Sequence, residues 1–154
     1  MNSGPQTLTD TDRELIEAAR STIDAHTDAS SLADPGVHTM GAAARDVDGR
    51  IHVGVNLAHF TGGPCAELVA LGAARANGAR HIETIVAVGN YGRGVVGPCG
   101  RDRQILFDYH RGVRVLVPTA DGVRALLIED LMPYATAWTI EGGTQPYDRE
   151  RFGP

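Results

Sequence analysis

Apolar residues recur along this chain in two periods, and the switches between them divide it into elements. Thr9 or Thr11 can cap a helix running to about His26, in which Leu15, Ile16, Ala19 and Ile23 form one apolar stripe. A stripe of that kind needs a sheet to lie on. Ala29 to Gly36 reads as a small-residue loop ending in Asp34-Pro35-Gly36, a proline of fixed φ followed by a permissive glycine. Val37 to Asp46 then reads as a strand, Val47-Asp48-Gly49-Arg50 as a tight turn, and Ile51 to Leu57 as the antiparallel partner. Cys65 to Asn77 carries Leu68, Leu71 and the small Ala70, Gly72, Ala73 and Ala74, a helix able to approach a sheet closely, and Asn77-Gly78 ends it.

The second half repeats the alternation of strand and helix. Ile82 to Val88 is nearly continuously apolar, the pattern of a central strand covered on both faces. Gly89 to Gly97, with four glycines, reads as a flexible loop, and Cys99 to about His110 as a helix with Ile105, Leu106 and Tyr109 inward. Val113 to Val117 and Val123 to Leu127 are strands around the turn Ala120-Asp121-Gly122. This order predicts an α/β domain with a mixed sheet, spanning residues 9–141 between a loose tail at 1–8 and a polar tail at 142–154. One domain is also what 154 residues supply.

Composition narrows the partners. A net charge of −5 with no basic cluster argues against a nucleic acid, which needs a concentrated cationic face. No apolar run approaches the ~18 residues of a membrane span, and the N-terminus lacks a basic segment followed by an apolar one. The expectation is a cytoplasmic protein with a small-molecule partner.

The two cysteines carry the candidate chemistry. Each follows a proline just before a helix-like run, in Thr61-Gly62-Gly63-Pro64-Cys65-Ala66-Glu67 and in Gly97-Pro98-Cys99-Gly100-Arg101-Asp102-Arg103-Gln104. Proline suits the first helical position, so the spacing predicts helices opened by Pro64 and Pro98 with a cysteine in each first turn. A positive helix end favours the thiolate, the form that binds metal. Cys99 and Asp102 are three apart and share a helical face, so both can point at an ion that Cys65 approaches from the other helix. Three anionic ligands leave a fourth position open, which separates a catalytic zinc from a structural one. A Cys65–Cys99 disulfide is the plain alternative, and it leaves the flanking pattern unexplained.

Cys65-Ala66-Glu67 followed by Pro98-Cys99-Gly100-Arg101-Asp102-Arg103-Gln104 resembles the zinc-dependent cytidine deaminase superfamily, whose signature is (His or Cys)-x-Glu and then Pro-Cys-x-x-Cys. Gly54-Val55-Asn56, His59 to Glu67, Pro98 to Arg101 and Asp130-Leu131-Met132-Pro133 resemble blasticidin S deaminase in particular. The likeness runs from about His38 to Trp138. It implies a three-layer α/β/α fold with a five-stranded mixed sheet and a closing helix at Ile128 to Pro133, a homotetramer, and one Zn2+ per chain held by Cys65, Cys99 and Asp102. Asp102 stands where the family has its second motif cysteine. A carboxylate is an acceptable zinc ligand, and a site that has lost its third ligand is the competing reading.

The same resemblance implies hydrolytic deamination. Glu67 is the implied proton shuttle, taking the proton of a metal-acidified water to the ring nitrogen and then to the departing ammonia. Helical spacing alone sends Cys65 and Glu67 to different sides, so their cooperation comes from the resemblance. Taken without its neighbours, Glu67 reads better as a charge complementing a helix N-terminus. Gln104 reads either as a support for the site or as a solvent-facing helix residue.

Substrate contacts are implied at His38, Asn56, Ala66 and Trp138. His38 takes the place of a ring that packs on the pyrimidine, or is a histidine bonded to a neighbour at a strand start. Asn56 stands where the nucleoside enzymes grip ribose with Asn-x-Glu, and Ala58 replaces the glutamate. Half of that grip is gone, which points away from ordinary cytidine and toward a base on another sugar, a free base or a modified pyrimidine. Asn56 also reads as a turn residue holding its own backbone. Trp138 lies in a region that covers the active site in relatives, and it also reads as packing. Two further function classes stay open: a non-catalytic pyrimidine-binding module with a degenerate metal site, and a deaminase of a purine or triazine amine.

Overall fold

The computed structural model describes residues 4–31, 33–34 and 36–138. Pro35 of the expected turn, residues 1–3 of the expected N-terminal tail, residues 139–141 and the 142–154 tail lie outside the described residues. The first helix, α1 (Asp10–His26), starts at Thr9 through a reciprocal cap: the Asp12 N–H donates to the Thr9 hydroxyl, and the Thr9 N–H to the Asp12 carboxylate. Leu15, Ala19 and Ile23 are its buried face, as the stripe predicts.

Strands β1 (Met40–Asp46) and β2 (Ile51–Val55) form the expected hairpin. β1 begins three residues later than its apolar pattern suggests. The N–H groups of Val37 and His38 donate to Asp28, and that of Thr39 to Asn56, so these donors are taken by side chains instead of a ladder. Helix α2 (Ala66–Ala76) follows, then β3 (Ile82–Gly89). Gly89 to Gly97, expected to be a loop, contains β4 (Gly94–Val96), which turns back and pairs with the end of β3. The sheet therefore has six strands, one more than expected. Helix α3 (Gly100–Tyr109) and strands β5 (Arg114–Thr119) and β6 (Gly122–Leu127) follow, and the closing helix expected over Ile128 to Pro133 is only a 3-10 turn, Ile128–Leu131, ended at Met132 just before the proline.

The strand order is β2-β1-β3-β5-β6, with β5 parallel to β3 and the other neighbours antiparallel. β1 occupies one edge of β3 along its whole length. The other edge is shared, by β5 at Thr84 and Ile85 and by β4 at Ala87 to Gly89. The sheet separates two apolar layers with a period of two. Ala42, Ala44, Ile85, Ala87, Val115 and Val117 pack toward α2 and α3, while Ala43, Val86, Val88 and Leu116 pack toward α1. This is the three-layer α/β/α arrangement. Two cations fasten α1 to its layer: the partly exposed Arg114 forks onto Asp12 at 2.7 and 2.8 Å, and the buried Arg45 reaches Glu14 at 3.0 Å.

Candidate metal centre and active site

Both cysteines sit at helix ends, two positions earlier than helices opened by Pro64 and Pro98 would put them. Cys65 and Cys99 are themselves the N-caps, with extended backbones (ψ 161° and 170°), and the helices begin at Ala66 and Gly100. The prolines precede the helices. This placement resolves the spacing difficulty of Cys65 and Glu67, because an N-cap side chain leans over the helix end instead of following its spiral. The cap carbonyls open the helical ladders, Cys65 O accepting from Leu68 and Val69 N–H, and Cys99 O from Arg103 N–H.

The helix ends are delivered by the sheet. Leu57, just past β2, donates its N–H to the Pro64 carbonyl at 3.0 Å and fixes the approach to Cys65. A Cβ on Gly63 would lie 1.8 Å from the Leu57 carbonyl oxygen, so only glycine fits there. β4 runs directly into Gly97-Pro98-Cys99. Arg101 joins the two sides, its guanidinium donating to the carbonyls of Gly62 (3.2 Å) and Gly63 (2.8 Å). Arg101 appears in the second motif, but the sequence alone does not reveal that it binds the first.

The ligand atoms offered by Cys65, Cys99 and Asp102 all lie within 4.8 Å of one another. The two sulfurs are 3.6 Å apart and both cysteines are free. That is far beyond the roughly 2.0 Å of a disulfide. Two sulfurs each about 2.3 Å from one tetrahedral zinc stand roughly 3.8 Å apart, close to the observed separation. Asp102 is fully buried and neither of its oxygens has a hydrogen-bond partner among the described residues. An unpaired buried carboxylate is costly unless something cationic takes it up. The donor set and its spacing fit a zinc ion.

Electrostatics agree. Burial, then the Cys99 sulfur and the Asp102 carboxylate, push the Cys65 thiol up to about 12. The helix-end thiolate expected from sequence is thus not sustained by the protein alone; a cation among these groups reverses the balance. Glu67, buried in the first turn of α2, is pushed up to about 7 by burial, against its own backbone N–H and with the Asp102 charge adding.

Cys65, Cys99, Asp102, Glu67, Ala66 and Asn56 all line one pocket of about 470 Å3. Its other walls include Met40, Ala58 and His59. Met40 and His59 lie within the span of the family likeness, but their residue types alone do not mark them as pocket walls. His38 is not among the lining residues: its Nδ1 bonds Asp28 at 2.9 Å, and bonds from the His38 backbone and ring hold Asp28 at about 2. Asn56 lines the pocket while spending its side chain on backbone. Its oxygen accepts from Thr39 and Met40 N–H (2.9 and 3.0 Å), and its amide donates to the Val37 carbonyl.

Trp138 lies elsewhere, half exposed, with its ring stacked on Tyr109 at 6.3 Å and its backbone N–H donating to the Asp108 carboxylate at 2.8 Å. Gln104 also faces that way, donating to Asp108 and to the Thr136 carbonyl. The two residues pin the C-terminal segment to α3.

No protein-family model matches the chain. Blasticidin-S deaminase of Bacillus cereus is 33% identical over 131 residues, covering 79% of this chain and 89% of that protein. Cytidine deaminase of Mycobacterium tuberculosis H37Rv is 35% identical over 98 residues, 62% of this chain and 71% of that one. A crystal structure of a cytidine deaminase variant from M. tuberculosis superposes with a TM-score of 0.68 at 25% identity, covering 85% of this chain and 98% of its own. With its paired motifs at two helix starts on a shared fold, the chain belongs to the cytidine deaminase superfamily, together with blasticidin S deaminase.

Proposed function

We propose that this protein is a zinc-dependent hydrolytic deaminase that releases ammonia from a cytosine-type aminopyrimidine. The observation that carries this reading is a group of two sulfurs and one buried carboxylate within 4.8 Å, the half-buried Cys65 and exposed Cys99 meeting Asp102 in the same pocket as a buried glutamate. Cys65, Cys99 and Asp102 would hold zinc, which supplies Lewis acidity when bound. Glu67, pushed up to about 7, can carry a proton in one step and yield it in the next near neutrality. It carries one proton of the attacking water to the ring nitrogen, where it stays, and then the remaining hydroxyl proton to the amine as the C–N bond breaks. Water and amine become carbonyl and ammonia.

The pocket supports a substrate other than ordinary cytidine. Ala58 offers no hydrogen bond to a sugar hydroxyl, and Asn56 has three of its bonds committed to backbone. A blasticidin S-like nucleoside, a cytidine analogue or a modified base answers that description. The protein acts as a homotetramer, as the resemblance implies, in the reducing cytoplasm where both thiols stay free for metal.

The test is elemental analysis together with ammonia release from cytosine, cytidine, deoxycytidine and blasticidin S. The expected result is one zinc per chain and turnover of at least one of these amines, lost with a strong chelator and restored by zinc. Protein that takes up no zinc when zinc is supplied removes this reading.

A further inference from the structure

We propose that Asp102 holds the cation through both of its carboxylate oxygens, so that the centre of this chain is built from two sulfurs and two oxygens and becomes five-coordinate when solvent joins. The inference rests on the metal-dependent reading above and goes beyond it in ligand number, geometry and metal preference.

The molecule contains its own control. Asp12 occupies the third position of α1, as Asp102 does of α3, and is equally buried. Both Asp12 oxygens are paired, one with Arg114 at 2.8 Å, the other with Arg114 at 2.7 Å and the Thr9 N–H at 2.9 Å. Buried Asp46 likewise bonds through both oxygens, to Asp48 and Arg50 N–H on one side and to Arg50 and His52 on the other. Asp102 is more deeply buried than Asp46 and has no such bond on either oxygen.

Neighbouring donors are directed elsewhere. Arg101 bonds Gly62 and Gly63, and Arg103 bonds the Pro98 carbonyl. Cys65 and Cys99 donate only while protonated, and metal binding removes those protons. A single metal–oxygen bond would therefore leave the second oxygen buried without a partner, beyond the reach of solvent. A chelating carboxylate satisfies both oxygens at once, as it does at other divalent cations.

A thiolate at this position has one donor atom and cannot chelate. The substitution that brings Asp102 here therefore changes the count as well as the hardness of the ligands. A set of two sulfurs and two oxygens suits cations that accept five ligands and oxygen donors, Co2+ and Fe2+ as well as Zn2+.

Electronic absorption of the full chain loaded with Co2+ tests this without reference to activity. Wild type should show visible bands several-fold weaker per bound ion than Asp102→Cys, as a five-coordinate centre does beside a tetrahedral one. Its sulfur-to-cobalt band should reach about two thirds of the variant's, two thiolates against three. Asp102→Asn keeps the shape with one oxygen, and serves if the cysteine variant does not fold. It should bind Co2+ at least about tenfold more weakly than wild type, with stronger visible bands. Wild-type bands as intense as those of a variant, or unchanged affinity in Asp102→Asn, overturn the two-oxygen inference and leave the metal site standing. Failure of wild type to take up either Co2+ or Zn2+ overturns both.

Discussion

Glu67 and the three candidate ligands differ in what their replacement should remove. Glu67→Gln preserves side-chain size and leaves Cys65, Cys99 and Asp102 in place, so zinc content should stay at the wild-type value. Ammonia release should fall by about 10²–10⁴-fold, because an amide cannot shuttle a proton. Unchanged release in this variant would refute the role. At this scale the sequence was most informative where residue type and chemistry coincide: two cysteines, a carboxylate three residues on, and a glutamate two residues after a cysteine. It was least informative where a side chain has two uses. His38 turns to Asp28, and Asn56 spends its amide on three backbone groups, choices made by loops that meet only in the folded chain.

Among the elements, α1 is fixed to the sheet by the Asp12–Arg114 pair, and this should shape stability at low pH. Burial pushes Asp12 up, but the bonds from Arg114 and from the Thr9 backbone and hydroxyl outweigh it and hold the carboxyl below its ordinary 3.8. A group depressed on folding contributes stability that is complete above its unfolded value and is lost as pH falls through the folded one. Urea midpoints should therefore drop below about pH 4, and Asp12→Asn should flatten that limb. At neutral pH the variant should lose roughly 2–4 kcal/mol, less than a fully enclosed pair because Arg114 remains partly exposed. A variant with the wild-type acid profile would remove the pair from this account.

Two glycines should respond with opposite signs. Gly54 on β2 lies under α2, where an added Cβ would stand 2.5 Å from the Ala70 nitrogen, so Gly54→Ala should cost about 1–3 kcal/mol. Gly72 on the exposed side of α2 has nothing within 4 Å, so Gly72→Ala should add about 0.5–1 kcal/mol. Thermal melts of both variants decide it, and a shared sign would contradict this packing. Helices and long strands were legible in the sequence because their apolar periods are long. β4 was not, since three residues in a glycine-rich stretch carry no period and depend on the free edge of β3.

On the scale of the whole molecule, the layers account for the burial of α1, α2 and α3 but leave large apolar side chains outside. Phe60 is 95% exposed, touching the His59 ring at 4.4 Å, and Leu57 beside the same pocket is 56% exposed. Tyr134 stands clear of the fold with a left-handed backbone (φ 60°), a conformation costly to a bulky residue. Exposed apolar surface next to a pocket mouth is the character of a contact face. The proposed homotetramer supplies a cover for it, and no single-chain pattern could have revealed which residues that cover needs. Sedimentation velocity should therefore show the wild-type chain as a tetramer. Phe60→Ser removes a ring that supports little within its own chain, so its melting temperature as a dissociated chain should stay near that of dissociated wild type. Losing about 1.5–3 kcal/mol of ring burial should shift its assembly equilibrium by about tenfold or more toward smaller species. A wild-type chain that sediments as a monomer at every concentration would leave these side chains without a partner copy and remove the tetramer from the proposal.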